Sequence, residues 1–275
     1  MYHSITIGEK NTWDDWHLIP SARPVFKQPE QKKKILEIPG ADGELDLSMS
    51  LTGYPVYNNR VGSLEFNVVN GYKPWYILCS EIANYLSGKT FRAVLEDDKE
   101  HFYEGKFSLN EWKSEKSWSK IVIDYNLNPY KWRLLSSTDA WKWDPFNFYD
   151  GVITTDIFKN IPLVRIGETP VPHTFETELI GKAPVCPTFT ISSTSPIPQH
   201  GGTPLDDGKI DIRFVDEVRG IDKTIETIVG PDGGYDQKTI QFPEIVFAGN
   251  PVTLYFTCEE HTSGDVLIDF RAGWL

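Results

Sequence analysis

The sequence predicts a mainly β protein of two domains: an N-terminal β-sandwich with one flanking helix, and a C-terminal β-sandwich. Three observations carry this expectation. At 275 residues the chain is longer than one hydrophobic core usually supports. Apolar residues recur mostly with period two, and only one stretch carries a helical stripe. Aromatic residues make up 13%, with 9 tryptophans against 2 methionines, a composition suited to strands and subunit contacts.

The elements follow in order. A short strand containing Gly8 leads to the pair Trp13 and Trp16, and then to an arm bracketed by Pro20 and Pro29. After the run Lys32, Lys33, Lys34, the alternation of Lys34, Leu36 and Ile38 with Ile35 and Glu37 predicts an edge-like strand. Gly40-Ala41-Asp42-Gly43 reads as a turn, and Leu64, Phe66 and Val68 alternate strongly with Glu65 and Asn67. Residues 74–87 form the predicted helix. Pro74 suits its first turn, Trp75, Leu78, Ile82 and Leu86 share one face, and Gly88 supplies a left-handed stop. One apolar face means that this helix lies on a sheet. Strands are then expected at residues 91–95, 102–109 and 119–127, with a turn at Asp97-Asp98.

The first domain is placed at residues 1–135, a linker at 136–144 and the second domain at 145–275. Around the linker, Trp141, Trp143, Phe146, Phe148 and Tyr149 form an aromatic patch that suits an interdomain seam better than a ligand site. In the second domain, strands are expected at 185–192, 209–215, 224–229, 238–247, 252–257 and 265–270. Ile210/Ile212/Phe214 and Val252/Leu254/Phe256 alternate cleanly, and glycine and proline turns separate the runs. A second sandwich follows.

Hydrophobic content of 40% and charged content of 24% fit an ordinary folded protein. A formal net charge of −12 repels phosphate backbones and argues against wrapping duplex DNA. The first ten residues lack the apolar core of a signal peptide and no window is apolar enough to span a membrane, which predicts maturation in a cytosol. Cys79, Cys186 and Cys258 are far apart in sequence and lack zinc-site spacing. Cys186 and Cys258 fall in predicted strands of one domain, but a cytosolic history favours reduced thiols.

No catalytic constellation emerges. Asp97, Asp98, Glu100 and His101 crowd one segment, yet they sit where a solvated turn belongs. Asp42, Glu44 and Asp46 alternate without an EF-hand loop, and suit a solvated face or an ionic contact with a neighbouring subunit. Lys32, Lys33 and Lys34 complement them in charge, although such a run is usually just solvated. Both glycine-rich stretches, 40–43 and 230–234, lack the strand-to-helix context of a phosphate cradle. Ser193, Ser195, His173 and His200 are expected in loops, with no Gly-x-Ser-x-Gly elbow. Trp112, Trp118, Trp132, Trp141 and Trp143 would suit a sugar-stacking platform, but tryptophans beside alternating strands more often serve a core or an interface. No cofactor and no metal site is expected.

One likeness goes beyond these patterns. Asn11-Thr12-Trp13-Asp14-Asp15-Trp16, Ile38-Pro39-Gly40-Ala41-Asp42-Gly43, Asn128-Pro129-Tyr130-Lys131-Trp132 and the closing Phe270-Arg271-Ala272-Gly273-Trp274-Leu275 occur in an order that resembles the distal tail proteins (the Dit family) of long-tailed bacteriophages and prophages. None of these segments is a chemical motif. The resemblance implies a tail-tube-like first domain that closes a hexameric ring and a galectin-like second domain. It also implies a tail-tip location after assembly in the host cytoplasm, with the tail tube protein, a tail-associated hub or lysin, and receptor-binding or adhesin proteins as partners. On that reading Trp13, Trp16, Pro20, Arg23 and Pro24 shape the arm, while the Lys32 to Lys34 run and Asp42, Glu44 and Asp46 make intersubunit ionic contacts. The alternative is a carbohydrate-binding module that recognises cell-wall glycans through exposed aromatics.

Overall fold

A computed structural model describes residues 3–40, 42–69, 73–114, 119–139, 157–195, 208–230 and 234–275. Two compact units emerge: one spans Met1–Trp132 and takes in Leu275, the other spans Arg133–Trp274.

In the first unit the strands are β1 (Ile5–Ile7), β2 (Lys10–Asn11), β3 (Leu18–Pro20), β4 (Ile35–Glu37), β5 (Glu44–Asp46) and β6 (Arg60–Val68). Helix α1 (Trp75–Leu86) follows, then β7 (Thr90–Leu95), β8 (Asp98–Ser114), β9 (Ser119–Leu127) and β10 (Lys131–Arg133), whose last residue is already counted in the second unit. One antiparallel path, β2-β1-β7-β8-β9-β6-β3, curls around a core, while β4 and β5 form a separate two-stranded ribbon. The core face is set by alternation: Ile121, Ile123, Tyr125 and Leu127 of β9 and Leu64 and Phe66 of β6 point inward. Leu78, Cys79, Ile82 and Leu86 are the buried face of α1 and close over them. Each fully buried aliphatic side chain here contributes about 1.5–3 kcal/mol. The helix begins behind Pro74 and ends before Gly88, whose φ of 71° is the left-handed conformation expected of it.

Strand β8 is longer than the sequence suggests, beginning at Asp98 and running to Ser114 rather than covering only 102–109. The register of β8 against β9 shifts between Leu109 and Glu111, and such a bulge switches the phase of the alternation and hides the rest of the strand. A second shift, between Ala93 and Leu95, sits at the other end of the hairpin β7–β8.

The second unit contains β11 (Ile161–Pro162), β12 (Val164–Arg165), β13 (His173–Phe175), the single turn α2 (Thr177–Ile180), β14 (Thr188–Ser195), β15 (Lys209–Asp216), β16 (Ile221–Ile228), β17 (Gly234–Gln241), β18 (Val252–Cys258), β19 (Ser263–Asp269) and β20 (Gly273–Trp274). Two sheets, β11-β19-β14-β17 and β12-β18-β15-β16 with β13 also on β18, supply the inner faces. Phe189, Ile191, Val266 and Ile268 join Ile210, Ile212, Phe214, Leu254 and Phe256 in one core.

Two expected strands shift. The run at 238–247 is really Gly234–Gln241, because Pro243 cannot donate to a ladder and the Ile245 N–H turns back to the Phe242 carbonyl. The run at 185–192 becomes Thr188–Ser195, whose last inward positions are the buried Ser193 and Ser195. Small polar residues on an inner face erase the apolar signal there. Ser193, Ser195 and His173 therefore lie in strands rather than loops, and His200 is outside the described residues. Of the expected linker, Ser136 to Asp139 sit in the second unit, where Ser137 Oγ donates to the Ile268 carbonyl and receives the Phe270 N–H. The aromatic patch at 141–149 lies outside the described residues.

Candidate assembly surface

The recurrent motifs turn out to be built for structure. Asn11 opens a tight turn: its Oδ1 accepts the N–H groups of Trp13 and Asp14 at 2.9 and 3.2 Å, while Asp15 accepts the Asn11 N–H and the Lys10 ammonium, both at 2.8 Å. The Lys10 and Asn11 hydrogen bonds outweigh burial and hold the Asp15 carboxyl below the usual carboxylate value. Thr12 is buried and its hydroxyl accepts the Ile5 N–H at 3.0 Å. Trp16 is fully buried and meets Tyr85 of α1 edge-on at 5.6 Å. Trp13 is half-buried beside His17, with ring centroids 5.4 Å apart. The two tryptophans thus anchor the turn and the helix.

The arm that follows is pinned to the sheet at three places. The Ser21 N–H donates to the Glu65 carbonyl at 2.9 Å, and Arg23 Nε lies 2.8 Å from Asp97. Phe26 is buried between Tyr103 and Tyr125, and the Lys27 N–H donates to the Tyr125 hydroxyl at 3.0 Å. Tyr125 can reach the arm because its cross-strand neighbour is Gly62, where a Cβ would stand 2.4 Å from the Tyr125 hydroxyl oxygen.

Sequence reasoning missed Arg60. It is 1% exposed; its Nε donates to the Pro129 carbonyl at 2.8 Å and its Nη1 to the Lys27 carbonyl at 2.9 Å. Its guanidinium lies 5.4 Å from the Tyr103 ring, and burial lowers its pKa from the usual value. This explains the Asn128-Pro129-Tyr130-Lys131-Trp132 segment: Pro129 receives Arg60, Tyr130 is buried against Tyr57, and Lys131 pairs with Asp98. The signal available was the arginine at the start of an otherwise apolar inward pattern.

Pro20, Arg23 and Pro24 come together with Ser21, Ala22 and Val25 along one groove of about 230 Å³, whose other wall is Ser63 to Phe66 of β6. Trp13 and Trp16 are not part of it.

The charged candidates share one ribbon. Beyond a stem in which the Lys32 N–H donates to the Val56 carbonyl and the Asn58 N–H to the Glu30 carbonyl, β4 pairs with β5 through Ile35↔Asp46, Leu36↔Leu45 and Glu37↔Glu44. Lys32, Lys33 and Lys34 lie on the outgoing side, Glu44 and Asp46 on the return, and Asp42 in the intervening turn, where Gly40 and Gly43 have φ near 80°. Among the described residues no ion pair joins the two sets; the Asp46 carboxyl is lowered chiefly by its hydrogen bonds with Ser48, with a smaller long-range contribution from Lys33. Every residue of β4 and β5 is exposed, including Ile35, Leu36 and Leu45, as are Ile38, Met49 and Leu51, the last 99% exposed.

The Asp97–His101 segment is not the solvated turn expected, because Asp98, Glu100 and His101 belong to β8. Asp98 sits between His101 Nδ1 at 2.6 Å and Lys131 Nζ at 2.7 Å. Burial alone would raise its carboxyl, but these two partners outweigh burial and hold it at about 2. Asp97 bridges His3 and Arg23. No group of three metal-ligating side chains occurs among the described residues, and no described helix is long and apolar enough to cross a membrane. The cysteines are free; burial pushes the Cys79 thiol up to about 11, and Cys186 and Cys258 reach different carbonyls, those of Phe242 and Thr262. Trp112 stacks on Trp75 at 6.2 Å, whereas Trp132 tilts over Tyr130, so these two rings have separate partners. Trp118, Trp141 and Trp143 lie outside the described residues.

No protein-family model and no curated protein sequence matches the chain. Among solved structures, it is similar to the crystal structure of the Dit (gp 19.1) protein of phage SPP1, described as a paradigm of the hub adsorption apparatus in phages infecting Gram-positive bacteria. The likeness covers 100% of both chains, with a TM-score of 0.56 and 13% sequence identity. The two chains share a fold. That distal-tail-protein fold accounts for both units at once, and it is the one the short motifs pointed to.

Proposed function

We propose that this chain is an architectural component of the adsorption apparatus at the distal end of a long-tailed phage or prophage particle, and not an enzyme. Its first unit closes a homohexameric ring that joins the tail tube protein to a tail-associated hub or lysin, and its second, galectin-like unit carries receptor-binding or adhesin proteins. It works at the virion tail tip after assembly in the bacterial cytoplasm. The fold shared with the SPP1 distal tail protein supports the kind of particle.

The observation that carries the reading is the ribbon. A lone two-stranded hairpin is marginal in water, yet this one extends its apolar side chains with every strand residue exposed. Such an element gains its stability from a surface on another copy. Lys32 to Lys34 and Asp42, Glu44 and Asp46, which form no ion pairs with each other, supply charge for that contact. Electron microscopy and mass photometry of the purified protein, from nanomolar to high micromolar concentration and with its tail partners, test the idea. Six-fold rings are expected, and a strictly monomeric protein overturns it. Incubation with purified cell wall, with and without divalent metal, releases no soluble fragments on this reading.

A further inference from the structure

We propose that two core-facing lysines, Lys223 and Lys238, guard the edges of the second unit's sandwich and keep it from pairing strand to strand with a second copy. Strands β16 and β17 end their sheets among the described residues. Each is 8 residues long, carries no proline and runs in unbroken register with its one neighbour, β15 or β14. A long edge of this kind is a template for another chain unless something blunts it.

The alternation of side chains identifies the device. Lys223 stands across from Phe214 and Lys238 across from Ile191, and both of these partners are fully buried. Residues paired across an antiparallel ladder point to the same face, so each edge strand places a lysine where its sheet faces the core. The neighbouring core-facing positions are apolar: Ile221 and Ile225 on β16 and Ile240 on β17 pack against the core. Lys223 is nonetheless exposed at the open side.

Lys238 does more than interrupt the apolar row. Its Nζ donates to Thr227 Oγ1 at 3.0 Å and to the Ile228 carbonyl at 3.2 Å, so it crosses from the edge of one sheet to the edge of the other. The Val229 N–H donates to the Gly208 carbonyl, which turns the backbone of Val229 towards β15 and that of Ile228 to the open side. The ammonium therefore caps a carbonyl that an added strand needs. The same alternation sends the backbone of Thr224 and Glu226 to the open side.

A strand added to β16 covers Lys223 and takes the Ile228 carbonyl from Lys238, and one added to β17 covers Lys238. Either event strips water from an ammonium group, which is costly without a new partner. The edge of a second copy brings the same lysines, so it adds like charge to the seam.

Valine at both positions completes the apolar row and tests the guard. The full-length Lys223→Val/Lys238→Val variant is compared with wild type, with Lys223→Arg/Lys238→Arg and with Lys209→Val, which removes a cation from the outward face of β15. Circular dichroism checks folding, and mass photometry across a dilution series reads association. The valine variant should form species beyond those of wild type at a concentration about tenfold lower, as expected when a desolvation cost is removed, while the controls match wild type. The amides of Thr224 and Glu226 should slow about tenfold in hydrogen exchange when it associates. A folded valine variant that associates no more than wild type, or whose protection falls elsewhere, overturns the guard. Should valine prevent folding, glutamine at both positions carries the same expectations. Exchange on wild type decides independently of any variant: these two amides should exchange equally fast in dilute and concentrated protein, and slowing on self-association overturns the proposal.

Discussion

At the residue scale, two side chains make strong predictions. The Asp98 carboxyl is held at about 2 in the folded protein, below its ordinary value of 3.8. A lowered folded pKa contributes stability that is present above the unfolded value and lost as pH falls through the folded one. Asp98 should therefore contribute about 2 kcal/mol above pH 4, fading as pH falls towards 2. Asp98→Asn should remove that contribution and flatten the stability curve over this window, measured by urea unfolding at stepped pH. Gly62→Ala places a Cβ where the Tyr125 hydroxyl stands, so it should displace the ring from the Lys27 N–H and cost about 1–3 kcal/mol, visible in the melting temperature. Residues of this kind were only partly legible in the sequence. Trp16 could be singled out because large aromatics seek cores, but Arg60 was missed: a charged residue in a strand usually faces water, and its place in the inward register of β6 was the one sign to the contrary. Asp98 was misplaced in a turn because its partner Lys131 is distant in sequence.

Among the elements, the ribbon is the one whose sequence and structure disagree most usefully. Its alternation predicts a strand, and it is one, yet no face of that strand is buried within its own unit. The double substitution of Leu36 and Leu45 by Ser should leave the monomer's melting temperature within about 2 °C of wild type, because exposed positions contribute little to the monomer. The same variant should lose rings in electron microscopy. The helix was fully legible because a proline, an apolar stripe and a glycine agreed over residues 74–88. Strand β8 was legible only up to the bulge after Leu109, and β14 only up to Ile191, after which serine occupies inward positions. In both cases tertiary pairing, which the sequence does not display, maintained the strand.

For the whole molecule, the two units have separate cores, each built from its own strands. Residues 1–132 and 133–275 expressed apart should both give cooperative melts. Size-exclusion chromatography should find rings only with the first piece, because the ribbon and the arm both belong to it. Rings from the second piece would place assembly in the wrong unit. The class of fold was readable from periodicity, whereas the kind of particle rested on short motifs whose residues the structure explains as a turn cap, an arginine dock and a backbone clamp. In the last of these, the Gly273 carbonyl accepts the N–H groups of Lys182 and Ala183, and Gly181 approaches so closely that a Cβ would stand 2.6 Å from Gly273.

The ribbon has a consequence for the free chain's lifetime. In the free chain, Leu51 and its apolar neighbours face water on an exposed turn beyond a short stem, a position where proteases nick and where chains stick to one another. Brief digestion of the unassembled protein should cut first within residues 38–52, and incorporation should hide the same bonds. On the proposed ring reading, proteases then remove surplus free copies while sparing those built into rings, which keeps the pool of unassembled subunit small.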